Sequence, residues 1–246
     1  MRRWCCILIL FLPSLAQAQI AVDAVSSAES GVPGTSTSNT HVVGAAATFV
    51  GVCVASRDIG GAVQPVTSVT VGGVAATFVN RSLSPANTVS AELWTLVSPP
   101  TGSQTVSVTN NAANDRTVTT TISLNGVTTS GTLGTAVTAA DPGSADANMN
   151  VDGIPSAGGE LGLLCGCGRV NTTTADPDAT APTSSEQIER AHADVTSLIG
   201  FIYSESGASP TIDMRVDLTP AERWAAVGVS IRPAITFRKR PMVMYP

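Results

Sequence analysis

The residues with most chemical potential in this sequence are three cysteines, two histidines and a scatter of carboxylates. Of the five cysteines, Cys53, Cys165 and Cys167 lie in the body of the chain. Cys165 and Cys167 are two apart in an apolar run, so on a strand both point to one face with Leu161 and Leu163. Cys53 sits in another apolar run. The pattern predicts either buried free thiols or a buried disulfide joining Cys53 to Cys165 or Cys167, which leaves one thiol over. A zinc site needs a fourth ligand and usually wider spacing. A catalytic thiol needs a base and an electropositive setting, and neither is visible.

His41 opens an apolar stretch after Ser, Thr and Asn residues and reads as a strand-edge residue. His192-Ala193-Asp194 has the residue types of a serine hydrolase relay. The sequence lacks the Gly-x-Ser-x-Gly elbow that presents a nucleophile, so no catalytic residue is assigned. Asp141, Asp146 and Asp152 fall in a stretch rich in Pro, Gly, Ser and Asn, and Asp176-Pro177-Asp178 forms a second acidic patch. Calcium needs several oxygens converging on one point, which loops can supply. The three aspartates are thus candidates for a structural calcium ion, with solvated loop acids as the simpler reading and no other cofactor implied. Paired carboxylates of the glycosidase type cannot be placed from sequence spacing. Sugar-binding faces stack rings on sugars. Trp94 and Trp224 lie in core-like strand patterns, whereas Tyr203 closes a strand at an expected exposed position.

The elements that must position these groups read as strands. Val, Thr, Ser, Gly and Ala dominate, and long runs of helix formers at helical spacing are missing. A first strand is expected over residues 20–27, then a long apolar run over 41–56. In that run, Phe49-Val50-Gly51-Val52-Cys53-Val54 reads as a central strand covered on both faces. Residues 66–71 and 74–79 flank Gly72-Gly73 as a hairpin, because two glycines accept the positive φ of a tight turn. Further strands are expected over 89–97, 104–109, 116–124, 132–139, 161–169, 196–203, 211–216 and 224–231. About a dozen short strands at even spacing predict an all-β fold, a two-sheet antiparallel β-sandwich. Residues 171–185 read as a long exposed loop. It leads into Glu186–Ala191, a helix candidate capped by Ser184 or Ser185 and expected to become a short turn or strand lead-in.

The N-terminus has the layout of a secretion signal. Arg2 and Arg3 precede an apolar run from Trp4 to Leu12, Pro13-Ser14 breaks it, and Ala16-Gln17-Ala18 supplies a cleavage pattern. Residues 1–18 are therefore expected to be a cleavable signal peptide, with a secreted, extracellular or cell-surface product and no later membrane span. Loss of Arg2 and Arg3 takes the formal charge from −5 to about −7. That balance argues against nucleic acid, whose phosphates require a basic face. Residues 19–234 read as the sandwich domain. Residues 235–246 form a tail in which Phe237-Arg238-Lys239-Arg240 precedes an apolar end, a candidate for self-association on an acidic surface.

Two segments, residues 66–77 (Val-Thr-Ser-Val-Thr-Val-Gly-Gly-Val-Ala-Ala-Thr) and 91–97 (Ala-Glu-Leu-Trp-Thr-Leu-Val), carry a family resemblance. Pro99-Pro100-Thr101-Gly102 follows them, and Trp224-Ala225-Ala226-Val227-Gly228-Val229 later precedes Arg232-Pro233-Ala234. Together they resemble extracellular and phage-associated β-sandwich modules of the jelly-roll-like or concanavalin-like kind. The resemblance spans most of residues 20–234 and implies a surface, adhesive or tail-associated protein without catalytic residues. The Cys165/Cys167 pair and the tail after Ala234 depart from that pattern. The expected function is a non-catalytic structural or adhesive role toward an extracellular protein or glycan surface. The alternatives are a carbohydrate-binding module and then a secreted hydrolase using His192.

Overall fold

The computed structural model describes residues 15–30, 33–169, 179–180, 187–195 and 197–237, and its regular structure is entirely β. The first ten strands are β1 (Leu15–Gln17), β2 (Ala21–Ser30), β3 (Gly34–Val43), β4 (Ala47–Arg57), β5 (Val66–Val71), β6 (Val74–Ala75), β7 (Thr77–Leu83), β8 (Val89–Val97), β9 (Gly102–Asn114) and β10 (Arg116–Asn125). The remainder are β11 (Val137–Ala140), β12 (Asp146–Pro155), β13 (Leu161–Arg169), β14 (Ala179–Thr180), β15 (Ile188–Val195), β16 (Leu198–Ser206), β17 (Thr211–Ile231) and β18 (Ile235–Phe237). All their pairings are antiparallel.

These strands stack in four layers. An outer N-terminal sheet, β3-β9-β5-β6, covers an inner N-terminal sheet, β2-β10-β4-β8-β7. An inner C-terminal sheet, β11-β17-β13-β16-β15, packs on the opposite face of that second sheet. The first half of β17 pairs with β12 and β14 and covers the far side, so one 21-residue strand serves two layers. Each junction has its own core. Val52, Val54, Val69, Val106 and Trp94 fill the first; Phe49, Leu93, Ile122, Leu163, Ile202 and Val227 the second; Met149, Ile154, Phe201, Tyr203, Met214 and Trp224 the third.

Burial periodicity follows from layer position. Strands β4, β8, β10, β13 and β16 are buried almost without interruption, since both of their faces meet another sheet. Outer strands alternate: in β17, Ile212, Met214, Val216 and Leu218 are buried while Thr211, Asp213 and Arg215 are exposed. The expected all-β antiparallel sandwich is present, with the sandwich contact made three times.

Two sheets with covered faces must approach closely, and glycine permits it at the central junction. A Cβ on Gly200 would stand 2.7 Å from the Ala55 Cβ and 2.8 Å from Val118 Cγ1. The Cys53–Cys165 disulfide crosses the same junction from β4 to β13, with Cα atoms 5.3 Å apart.

Several sequence expectations are redrawn. The run over 41–56 is two strands in different sheets, separated at Gly44, where the backbone amide donates to Asp23 Oδ2 over 2.8 Å. The Gly72-Gly73 turn forms with φ of 59° and 79°. The return strand then leaves after Ala75, and β7 joins the other sheet. The 211–216 and 224–231 runs are one continuous strand. Over the described part of the helix candidate, residues 188–191 belong to β15, whose edge pairing with β16 fixes an extended backbone. Residues 1–14, most of the 171–185 loop and 238–246 lie outside the described residues. Leu15–Gln17 pair with Ile235–Phe237 in a separate two-stranded sheet.

The disulfide closes a sequence separation of 112 residues. Its chief effect should be to restrict the unfolded chain. Replacing Cys53 and Cys165 together by Ala should lower stability by about 3–5 kcal/mol. Urea unfolding under non-reducing conditions, read by tryptophan fluorescence, measures it.

Candidate functional site

Cys53 and Cys165 are brought together in the disulfide, and among the described residues Cys167 is the remaining thiol, fully buried beside them. Burial pushes its pKa up to about 12, so it is a protonated core group rather than a nucleophile.

The three calcium candidates are drawn to separate partners. Asp141, with a fully buried side chain, accepts from Arg223 Nη1 at 2.7 Å, from the Gly143 amide at 2.9 Å and from the Trp224 amide at 3.2 Å. It pins the chain entering β12 against β17. Asp146 and Asp152 lie on strand β12, not in a loop. Asp146 Oδ1 accepts from the Asn148 amide at 3.0 Å, and Asp152 meets the exposed Arg215 at 3.3 Å. Among the described residues no group of three or more His, Cys, Asp or Glu side chains is placed to hold a metal ion. Asp176 and Asp178 lie outside the described residues.

His192 stands exposed on edge strand β15, its Nδ1 in a close contact with Glu189 Oε1 rather than with Asp194. Glu189 Oε2 accepts from the Tyr203 hydroxyl at 2.7 Å. Tyr203 is itself fully buried, contrary to the exposed position expected, because β16 continues to Ser206 under the outer C-terminal layer. Trp94 and Trp224 are buried core residues. Among the described residues the exposed aromatic is Phe78, 46% accessible, lying edge-on to Trp94 with ring centroids 5.2 Å apart.

Two buried polar centres were not legible in the sequence. Glu92 on β8 accepts from the Val66 amide at 3.0 Å and from Trp94 Nε1 at 3.4 Å, and pairs with Arg81 at 3.1 Å. Burial raises its pKa, and these three partners pull it back. Arg81 also donates to Val63 O, so the pair fixes the loop before β5. The second centre lies where β2 and β10 face β3. Here Ser26 Oγ is 2.9 Å from His41 Nδ1 and accepts from Asn39 Nδ2 at 3.2 Å. Asp23 Oδ2 accepts from Ser123 Oγ at 2.7 Å. His41 Nε2 and the hydroxyls of Thr37, Thr119 and Thr121 have no protein partner. A nucleophile–base relay needs a third group that orients the imidazole. Among the described residues His41 Nε2 has no such partner, and burial favours the neutral imidazole.

A cleft of about 290 Å³ opens at the end of the central junction, lined by Arg57, Ile59, Asp115, Arg116 and Ser197. Arg57 and Arg116 are cross-strand partners on β4 and β10, brought together by register alone.

Fold and site together define a four-layer antiparallel β protein whose candidate groups are mostly engaged in holding layers together. No family model, curated protein or solved structure matches the chain. Among the described residues no helix is long and apolar enough to cross a membrane.

His41 makes stability depend on pH. Burial lowers its pKa from 6.5, and the charge of Asp23 acts in the opposite direction. The unfolded chain then binds the proton more readily than the folded one. This contribution is complete above about pH 6.5 and is lost as pH falls below it, until the folded histidine also titrates. Urea midpoints from about pH 8 down to about pH 5 should fall on acidification, and His41→Gln should flatten that limb.

Proposed function

We propose that this is an exported, non-catalytic structural or adhesive β protein that acts through surface contacts. The observation that carries this reading is the edge of the outer N-terminal sheet. β3 pairs with β9 on one side only among the described residues. Its ten residues include no charge and no proline, and Val42 on it is 60% exposed. Sheet edges are ordinarily blunted by lysine, proline, bulges or a covering segment, because open backbone donors and acceptors recruit further strands. Beyond the register shift between Gly34 and Ser36, the uncharged edge from Ser36 to Val43 is suited to contact rather than avoidance. The likeness of the hairpin and strand motifs to jelly-roll-like surface modules points the same way. Placing a charge on the edge, as Thr40→Lys, should abolish concentration-dependent association or surface retention without changing stability. Sedimentation velocity and retention on immobilised extracellular protein or glycan would read it. A protein that neither associates nor is retained at any concentration would sink this reading.

A carbohydrate-binding role is the second reading, favoured by the exposed Phe78 ring against Trp94, a surface on which a sugar can stack. A glycan array run with calcium and with chelator separates the two. Selective binding that weakens about tenfold in Phe78→Ala, the loss of one stacking contact, supports it. A blank array on folded protein leaves the contact role.

A further inference from the structure

Arginines crowd one end of the central junction. Arg57 closes β4, Arg116 opens β10 as its cross-strand partner, and Arg169 closes β13 on the facing sheet. Arg57 is 5% exposed, and Arg169 and Arg116 both bear on its charge, with Asp115 and Glu222 acting oppositely. Neither Arg116 nor Arg169 forms an ion pair with a carboxylate among the described residues, and the Nε of each is buried without a partner. Arg116 Nη1 donates only to the carbonyl of the adjacent Asp115, at 2.6 Å. Arg57 and Arg116 line the 290 Å³ cleft.

We infer that this cleft is a binding site for a single oxyanionic group, a carboxylate or sulfate, gripped by Arg57 and Arg116 with Arg169 adding charge behind them. Arg116 and Arg169, partly buried without an ion pair among the described residues, carry a desolvation cost that an anion entering here relieves. Arginine suits the task, since its planar fork offers paired donors to two oxygens of one group. Arg57 is held in place by an Nη1 bond to Ser197 O at 3.0 Å, so its guanidinium is oriented before the ligand arrives. The Asp115 carboxylate is engaged by the Ile59 amide at 2.7 Å. The cleft, at about 290 Å³, has room for a small anionic group.

The test is calorimetric titration and thermal unfolding of the purified protein with sodium sulfate and with sodium glucuronate. Ionic strength is held constant with sodium chloride. Saturable binding and a raised Tm are expected with at least one of the two anions. Tighter binding of glucuronate indicates an acid group carried on a sugar, and equal or tighter sulfate binding indicates the free anion. Arg116→Gln should weaken binding about tenfold or more, while its Tm without anion stays equal or rises as repulsion is relieved. If that variant fails to fold, Arg169→Gln takes its place, with about threefold weaker binding expected. No saturable effect beyond chloride, or an equal effect in wild type and folded variant, overturns the site.

Discussion

The contact between the two inner sheets is the constraint from which the remaining architecture follows. Each inner sheet carries apolar side chains on both faces, so neither can face water, and each must be covered twice. The outer sheets provide the second cover, which is why they alternate in polarity while the inner strands do not. The central contact is made close by Gly200 against Ala55 and Val118, and by Gly51, where an added Cβ would lie 3.2 Å from Leu163 Cδ2. A methyl group in such a place forces the sheets apart, and the disulfide beside it fixes the same spacing covalently.

Polar groups inside this stack act mainly as fasteners between segments distant in sequence. Glu92 ties β8 to the entrance of β5, and Asp141 ties the lead-in to β12 onto β17. Each carboxylate has several donors, as buried charge requires. The seam between β10 and β3 is different. Thr119 and Thr121 have the shape of valine and fill the same space, but each brings a hydroxyl without a protein partner. Such a seam is less well compensated than the apolar cores around it. Burial in this seam disfavours the charged form of His41, with Asp23 acting in the opposite direction.

Much of the strand content was legible because period and punctuation agree locally. The bounds expected for β8 and β13 match the structure, and Gly72-Gly73 turns as its sequence demands. The burial of Phe49 to Val54 on both faces was also readable from an unbroken apolar run. β12 was missed because a register shift between Val151 and Ile154, at Gly153 with φ of 74°, breaks its alternation. β17 was divided because Thr219-Pro220-Ala221 is exposed where the strand passes from one layer to the next. The number of layers was not readable. A strand covered on both faces says that two partners exist, not which strands they are. The arginine cleft was hidden for a related reason, since Arg57 and Arg116 are distant in sequence and meet only through register.

Double coverage also imposes an order on folding. The inner N-terminal sheet is complete by Asn125, yet one of its apolar faces is covered by a sheet whose strands begin at Val137. The first half of the chain therefore has no stable resting point of its own. It waits as an open, aggregation-prone surface until the second half arrives. Non-local pairing of this kind makes folding slow, because loop closure precedes the contacts that reward it. The two halves share one core, so cleavage between β10 and β11 followed by separation would bare an apolar face on each.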